Sequence, residues 1–578
     1  MSSILSRREF FRSSGIAFTA ASLASFARAS EAEPSGLLFF DAFTEIGPRP
    51  NKPASQQWRL DELRAEMEHC SIAGALVSGT MAIGYDAMWS NLELSRMLAA
   101  LPGGFAVWNI MPDASGEFPA PPQLGRLMRE HGVRAVALHP VSNAWSLKAD
   151  SSAPLLRWLA EERVLTHVPR AQLGGYDDLA ALLKAYPDLP VLLTGATWTD
   201  QRIVIPLLTA HRNLHLTFDH FQIFNGLEDL VAAGCEDQLL FGSNSPTMSA
   251  GAHRAYVDYA DIPSPAKRKI AGGNLTRLLH GQGPAAPRHN PNEDSLMRAI
   301  RLGRPLPAPV VDLHLHILDD GLNGAGGRYR MSHGDAAGSF ALGKRLGYVG
   351  GAVMSWNGTV GVDAVGGNAT IRRVLDRAPP GYWGAATFDP SHYSQSELAG
   401  QIARCYEDQR FVGMKPYTRF GLEYTHRGYD LWWDFGQRHR LYALIHRTRS
   451  DFREVETLAA RFPGVRWVVT HMGMSWDAAT QAVEVMKRFP NVYAEITYTN
   501  VPLGMIDFLV ANGGEDRVLY GSDLPMRDPR QQLGWVVFSR LPIAAKMKVL
   551  GRNALRVLGP CLDRLPAANR PAVAAKHS

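Results

Sequence analysis

A long internal repeat limits the fold of this chain more than any other feature of its sequence. The stretch DQLLFGSNSPTMS, which starts at Asp237, returns as DRVLYGSDLPMRD from Asp516. The stretch GGNLTRLL around Asn274 returns as GRNALRVL around Asn553. The two members of each pair are 279 residues apart. A constant offset over such distances indicates two tandem copies of one domain, each of roughly 250 residues.

The chain is too long for one ordinary core, and its composition suggests where the two copies begin and end. We expect the first copy over residues 36–282 and the second over residues 309–561. Residues 283–308 begin with GPAAPRHNPNEDS, which is rich in proline and polar residues and predicts a linker. Residues 562–578 have no hydrophobic period and predict a tail.

Residues 1–29 have the pattern of an export signal. Arg7 and Arg8 are followed by Phe10, then by a mildly apolar stretch over residues 15–26 and an A-x-A site that ends at Ala29. The paired arginines resemble a twin-arginine signal, which predicts cleavage after Ala29 and a bacterial periplasmic or exported protein. The apolar stretch is shorter than the roughly 20 residues that cross a bilayer, so we expect no membrane span.

Within each copy, short apolar runs alternate with amphipathic segments. In the second copy the predicted strands are VVDLHLH, YVGGAVM, YWGAATF, FVGMKPY, LYALIH, VRWVVTH, NVYAEI and RVLYGSD. Eight buried strands that alternate with helices predict a (β/α)8 TIM-type barrel, and hence two such barrels in tandem. An open doubly wound sheet is the alternative. We favour the barrel because polar, chemically useful residues end so many of these runs.

In the second copy, side chains that bind metals stand where predicted strands end. His314 and His316 alternate along the first strand, so both face the same side of it. His446 ends the fifth strand, His471 the sixth and Asp523 the eighth. Strand ends converge at one face of a barrel, and neutral imidazoles with a carboxylate suit a divalent ion such as zinc.

Through VVDLHLH, FVGMKPY, YALIH, VVTHMG and GSDLP, the second copy resembles the amidohydrolase superfamily, in particular the branch of mononuclear metal enzymes called amidohydrolase 2. The resemblance covers both copies and is sharpest in the second. It implies one divalent metal ion, zinc with manganese as the alternative. The metal ligands that it implies are His314, His316, His446 and Asp523.

The resemblance also implies an activity. The expected enzyme is a metal-dependent hydrolase of a small, carboxylated ester, lactone or amide, acting by attack of metal-activated water in the second barrel. His471 would hold or deprotonate that water, and Asp523 would serve as ligand and proton shuttle. The first alternative is a non-oxidative decarboxylase of an aromatic or dienoic acid, since this branch contains both. The second is a non-catalytic exported binding or accessory protein.

Aromatic and basic residues near the predicted mouth indicate a small anionic substrate. The residues that we expect to contact it are Lys415, Tyr417, Arg419, Arg447 and Trp356. Arginine binds carboxylates well, although these arginines could instead pair with local acids. A carboxylated lysine that bridges two metals is a less favoured role for Lys415. A net charge of only +5 over 578 residues does not favour nucleic acid as a partner.

The first copy lacks most of these side chains. Phe43, Glu45, Gly195 and Asn244 stand where the second copy has its ligands and His471, and only His167 is retained. The first barrel is therefore predicted to have lost the metal site, although Glu45 and His167 could form a different one. Its remaining roles would be to shield the second barrel, to shape its pocket or to support a homodimer.

Overall fold

A computed structural model describes most of the chain. The residues that it describes are 36–49, 58–319, 327, 329–448 and 450–571. The predicted export signal at residues 1–29 lies outside them.

Sixteen strands are present in the described residues, eight in each copy. The first copy contains β1 Phe40–Ile46, β2 Gly74–Gly79, β3 Gly104–Ile110, β4 Ala135–Leu138, β5 Leu165–Pro169, β6 Val191–Thr194, β7 Leu214–Thr217 and β8 Leu239–Leu240. The second contains β9 Val310–Ile317, β10 Tyr348–Ser355, β11 Tyr382–Ala386, β12 Phe411–Met414, β13 Tyr442–Ile445, β14 Arg466–Val469, β15 Val492–Glu495 and β16 Val518–Leu519.

Helices follow the strands in both copies. Those of the first copy and of the connection to the second are α1 Leu60–His69, α2 Met81–Gly84, α3 Ala87–Leu98, α4 Pro121–Glu130, α5 Ala153–Glu161, α6 Tyr176–Ala185, α7 Gln201–Ala210, α8 Gly226–Ala232, α9 Ala250–Asp258, α10 Ser264–Arg268, α11 Asn274–Leu278 and α12 Ser295–Arg301. Those of the second copy are α13 Ala336–Leu346, α14 Trp356–Thr359, α15 Ala364–Leu375, α16 Gln395–Tyr406, α17 Asp430–Arg438, α18 Arg453–Arg461, α19 Trp476–Arg488, α20 Met505–Gly513, α21 Pro529–Val537, α22 Ile543–Met547, α23 Asn553–Val557 and α24 Gly559–Leu562. One π-helical turn recurs at the same place in each copy, at Lys269–Gly273 and Lys548–Arg552.

Each set of eight strands forms one parallel sheet in sequence order, β1 to β8 and β9 to β16. Parallel bridges join the first strand of each sheet to the residues after its last strand, Thr44 to Ser245 and Leu315 to Leu524. These bridges close the sheets into barrels, which confirms two tandem (β/α)8 barrels and excludes the open sheet. Strands of such barrels are buried on both faces, and all eight residues of β9 are buried.

An aspartate that both copies retain joins the first strand to the last. In the first barrel, Asp41 Oδ1 accepts hydrogen bonds from the backbone N–H groups of Phe43 and Ser243. In the second, Asp312 Oδ1 accepts them from His314 and Ser522. The aspartate therefore stabilises barrel closure whether or not metal ligands are present, and this explains why it persists in the first copy.

The two barrels pack through corresponding helices. All residues of α9 and of α21 are buried, and the two helices contact each other along their lengths. Their backbones lie close together at Gly534, where an added Cβ atom would lie 2.4 Å from the Cα atom of Ala252. A side chain at this position would therefore push the barrels apart.

Polar side chains also cross between the barrels. The Arg530 guanidinium is completely buried and contacts both Asp528 of its own barrel and Glu228 of the first barrel. The Gln222 side chain donates to the backbone oxygen of Thr499, which joins the loops after β7 and β15. Since these loops and helices are each other's counterparts, the two copies are related approximately as the halves of a two-fold symmetric dimer.

The segments outside the barrels are packed onto them. Helix α12 lies in the connection and is buried against α9. After α24, Leu565 is buried and the backbone oxygen of Asn569 accepts a hydrogen bond from Gly381 N–H, 3.2 Å away. Residues 563–571 are thus part of the second barrel's packing rather than a free tail. Among the described residues, no helix has the length and apolar character that a membrane crossing needs.

Candidate metal centre

The candidate site lies where the strands of the second barrel end, and its side chains are buried. His314 and His316 stand on β9 and point into the same space, with ring centres 5.2 Å apart. Asp523 follows β16, and its left-handed backbone (φ 56°) turns its carboxylate toward them. The strand order therefore brings together residues that are about two hundred positions apart in sequence.

His314, His316 and Asp523 form a three-ligand group. Their ligand atoms all lie within 4.8 Å of one another. Asp523 Oδ1 is 3.6 Å from His314 Nε2 and 3.5 Å from His316 Nε2. Two imidazole nitrogens and a carboxylate oxygen around one point are a donor set that suits a divalent ion.

The charges of this group also fit a cation. Burial lowers the pKa of both His314 and His316 well below the usual value, so both rings are neutral and offer lone pairs. Burial raises the pKa of Asp523, although Arg527 and Lys415 act in the opposite direction. A buried carboxylate beside neutral imidazoles is stabilised by a cation bound between them.

His471 and His446 form a second pair beside this group. His471 Nδ1 lies 2.7 Å from the backbone oxygen of Thr497, so Nδ1 carries the proton and Nε2 holds the lone pair. His471 Nε2 is 3.2 Å from His446 Nδ1. His446 is not part of the three-ligand group, and its role as a metal ligand stays a prediction.

Lys415 is buried next to the three-ligand group. Its ammonium nitrogen is 3.0 Å from His314 Nε2, and its side chain is completely buried. Burial lowers the pKa of Lys415 to about 8, while Asp523 and Glu495 raise it in part. Lys415 is therefore placed to act on the metal group itself more than on a distant part of a substrate.

The other residues expected at the mouth differ in how free they are to bind a substrate. The Trp356 ring stands edge-on to His316 at 5.2 Å, and the Tyr417 ring is 5.0 Å from that of His446. Arg419 is exposed. Arg447 forms an ion pair with Glu454 at 2.7 Å, so it is already neutralised by a local acid. A cavity of about 710 Å³ opens here, lined by residues that include His446, Arg447 and Glu454.

The described residues of the first barrel form no comparable site. Phe43 packs its ring against His167 at 5.0 Å, and Glu45 is paired with Arg49. His167 Nε2 is 2.6 Å from the hydroxyl oxygen of Thr194. Asn244 keeps the left-handed backbone of its counterpart Asp523, without its charge. Among the described residues of this barrel, no three potential ligands come together.

The sequence model of the amidohydrolase family matches residues 43–281 and, a second time, residues 311–559. The two matches together cover most of the chain. It belongs to the amidohydrolase family. This amidohydrolase is therefore an enzyme with two copies of the family domain. Within the part of the chain that the structure describes, only the second copy has a group of side chains that can hold a divalent metal ion.

Several solved structures are similar to parts of this amidohydrolase. An uncharacterised TIM-barrel protein of Bordetella bronchiseptica is 19% identical and covers 42% of this chain and 99% of its own, with a TM-score of 0.35. The 5-carboxyvanillate decarboxylase of Sphingomonas paucimobilis is 13% identical over 42% of this chain and 99% of its own, with a TM-score of 0.35. A dihydroxybenzoic acid decarboxylase of Polaromonas, solved with manganese and 2-nitroresorcinol, is 16% identical over 44% and 97%, with a TM-score of 0.35. No curated protein matches the chain.

Sequence reasoning missed Glu495, which is central to the site of this amidohydrolase. Glu495 ends β15 and is completely buried, with Oε2 3.5 Å from His314 Nδ1 and 3.3 Å from the backbone nitrogen of His471. A carboxylate behind a metal-binding histidine orients its ring. The one signal in the sequence was a lone acidic residue at the end of an apolar run.

Glu495 gives this amidohydrolase a testable dependence on pH. Burial raises the pKa of Glu495 to about 8 in the metal-free protein, from an ordinary value of 4.5. Between these values the folded protein holds a proton that the unfolded chain has lost, so stability falls as the pH rises through this window. Relative to Glu495→Gln, the metal-free wild type should lose on the order of 3 kcal/mol of unfolding free energy from pH 5 to pH 8.

Urea unfolding of both proteins in a metal chelator, at several pH values, measures this difference. Comparing the two proteins cancels the titration of the histidines, which has the opposite sign. A difference in unfolding free energy that stays constant from pH 5 to pH 8 would show that Glu495 is ionised throughout.

Proposed function

We propose that this protein is a metal-dependent hydrolase of a small, carboxylated ester, lactone or amide, and that the reaction takes place in the second barrel. The observation that carries the proposal is the three-ligand group of His314, His316 and Asp523 beside a neutral His471. The three-ligand group would bind a cation, and His471 can accept a proton next to it. Hydrolysis of a carbonyl compound needs both.

His314, His316 and Asp523 would hold the ion, with His446 as a further ligand at the edge of the site. We propose zinc as the metal, with manganese as the alternative. Such an ion supplies Lewis acidity: it polarises a carbonyl group and makes a water molecule more acidic. Glu495 keeps the His314 ring oriented, and Arg527 holds Asp523 Oδ2, so Asp523 Oδ1 stays turned toward the histidines.

His471 is the proposed general base. Its Nδ1–H donates to the backbone oxygen of Thr497, which fixes the ring and leaves Nε2 as the nitrogen that accepts a proton. Burial, with the nearby His446 and Arg527, lowers the pKa of His471 well below the usual value, so the ring is neutral before reaction. The buried carboxylate of Asp523 can share the proton afterwards.

The walls of the site support a planar, anionic substrate. Trp356 and Tyr417 supply aromatic rings beside the histidines, and Tyr498 lies 5.7 Å from His471, ring centre to ring centre. Arg419 is exposed near Tyr417 and can meet a carboxylate. Arg447 contributes only if a substrate displaces Glu454 from it.

The same aromatic walls favour one second candidate, the non-oxidative decarboxylation of an aromatic or dienoic acid. A flat ring or diene would stack on these side chains, and a neighbouring histidine could deliver the proton that replaces the carboxyl group. The two reactions use the same residues and differ in their products.

The experiment is to load the purified chain with zinc or manganese and to supply two sets of compounds. The first set contains carboxylated lactones and amides; the second contains 2,6-dihydroxybenzoate and 5-carboxyvanillate, labelled at the carboxyl carbon. Hydrolysis yields a new acid group, which NMR detects, and decarboxylation yields labelled carbon dioxide. An Asp523→Asn variant is the control. A metal-loaded wild type that converts neither set would contradict both candidates.

We also propose that residues 1–29 export the protein by the twin-arginine route. The support is the sequence SRREFF followed by a short apolar stretch and the site at Ala29. Replacing Arg7 and Arg8 by lysine should leave uncleaved precursor in the cytoplasm, as cell fractionation would detect. A variant that is still exported and cleaved would contradict the route.

A further inference from the structure

The first barrel reaches the mouth of the second through the turn that follows β6. Trp198 begins this turn, Trp198–Asp200. The guanidinium carbon of Arg527, a residue of the second barrel, lies 5.0 Å from the centre of the Trp198 ring. It also lies 5.1 Å from the ring centre of Tyr498. A guanidinium this close to a ring is attracted by its π face, so each barrel contributes one ring that holds Arg527.

Arg527 connects this contact to the metal group. It is 2% exposed, and its Nη1 donates to Asp523 Oδ2 while its Nε donates to Thr499 Oγ1. With Oδ2 held by Arg527, Asp523 Oδ1 lies 3.6 Å from His314 Nε2 and 3.5 Å from His316 Nε2. Arg527 therefore helps to orient this ligand toward the two histidines.

A second contact between the barrels leads to the other side of the site. Gln201 Nε2 donates to the backbone oxygen of Arg330 at 3.1 Å. Asp229 accepts hydrogen bonds from the side chains of Arg330 and Ser332, the latter at 2.9 Å. Gln201 and Asp229 belong to the first barrel, and both hold the stretch of residues 329–332, which follows β9 in the chain.

The stretch that they hold includes a residue that faces the site. Tyr329 packs its ring 6.2 Å from that of Trp356, which itself stands edge-on to His316. Burial raises the pKa of Tyr329. The first barrel thus supports the metal group from two directions.

We propose that the first barrel is a working part of the metal centre, in which Trp198 is a positioning residue that acts through Arg527 on the ligand Asp523. This inference rests on the metal site of the proposed function but not on the reaction catalysed there. It accounts for a barrel that has lost its own ligands and yet keeps polar and aromatic contacts around those of its neighbour.

The test compares three variants of the full mature chain. Trp198→Leu keeps apolar bulk but removes the π face, and Trp198→Phe keeps a ring. Trp89→Leu is the matched control, because Trp89 lies in the first barrel, is 49% exposed and is far in sequence from these contacts. Zinc affinity is measured without substrate, by competition with a coloured chelator. The absorption spectrum of the cobalt-loaded protein reports the geometry of the ligands.

We expect Trp198→Leu to bind zinc about tenfold more weakly, the size of effect that partners of metal ligands usually have, and to change the cobalt spectrum. Trp198→Phe should stay within about threefold of the wild type, and Trp89→Leu should not differ from it. A folded Trp198→Leu protein with wild-type affinity and spectrum would overturn the inference.

Further measurements distinguish a misfolded variant, a wrong inference and a wrong metal site. Melting of the metal-free variants shows whether they fold. If Trp198→Leu does not fold, Asp229→Asn tests the second contact between the barrels by zinc affinity and cobalt spectrum, and we expect the same weakening and spectral change. A His314→Ala variant is run beside them. If it also binds zinc like the wild type, the metal site itself is wrong; if only the Trp198 and Asp229 variants are unaffected, the inference alone fails.

Discussion

The His314→Ala variant is expected to lose its bound metal ion and its metal-dependent activity. His314 belongs to two groups of potential ligands, one with His316 and Asp523 and the other with His471 and Glu495. Because even the partners of metal ligands contribute ten- to a hundredfold to affinity, losing a ligand itself should cost more than about a hundredfold. Elemental mass spectrometry should find about one ion per wild-type chain and almost none in the variant.

His167→Ala is the matched control for this variant. His167 is also a buried histidine within a barrel strand, and burial lowers its pKa to about 3, but it belongs to the first barrel and contacts Thr194. Its loss should leave the metal content unchanged. Metal lost from His167→Ala, or kept by His314→Ala, would contradict the assignment of the site to the second barrel. Two ions per wild-type chain would instead indicate a bridging Lys415 or a site in the first barrel.

The Arg530→Ala variant is expected to be the most destabilising single change between the barrels. Arg530 is completely buried and binds Asp528 and Glu228, so its removal leaves two carboxylates without their cation. Breaking such a buried pair usually costs about 3–5 kcal/mol. The variant should unfold at a clearly lower urea concentration than the wild type at pH 7.

The pH dependence of this interaction has a definite sign. Burial would raise the pKa of Glu228, but Arg530 outweighs it and lowers the pKa to about 2. The stabilisation is therefore complete above the ordinary pKa of 4.5 and is lost as the pH falls toward 2. Arg163→Ala, which removes an exposed ion pair with Asp188, should change stability by less than about 1 kcal/mol. Equal effects of the two variants would show that the buried pair contributes little.

The repeat and the strand ends were enough to predict the two barrels and to bring His314, His316 and Asp523 together at one end of the second. A period of two places His314 beside His316, and the closure of a barrel brings Asp523 to them. These features follow from the alternation of residues along a strand and from a barrel topology that places the strand ends at one face. They could be predicted without knowing any particular side-chain contact.

Other parts of the site depend on contacts that the sequence does not reveal. Arg447 was expected to meet a substrate, yet it pairs with Glu454, and an arginine after a strand looks the same in sequence in either case. The sequence did not indicate that Arg527 is part of the site. Its partners are Asp523, in a loop of its own barrel, and Trp198, in the other barrel. The packing of α9 on α21 was equally hidden, because a fully buried helix could lie against any apolar surface.

Helices α9 and α21 pair within one polypeptide, so the two barrels form their interface without association. The subunits of a symmetric dimer form such an interface only by association. Two separate subunits come apart on dilution, whereas two halves of one polypeptide remain neighbours at any concentration. In a dimer of identical chains, every mutation changes both subunits. Once the halves are encoded in tandem, each can diverge by itself. One half can then lose metal ligands while the other keeps them, and every chain still contains one half of each kind.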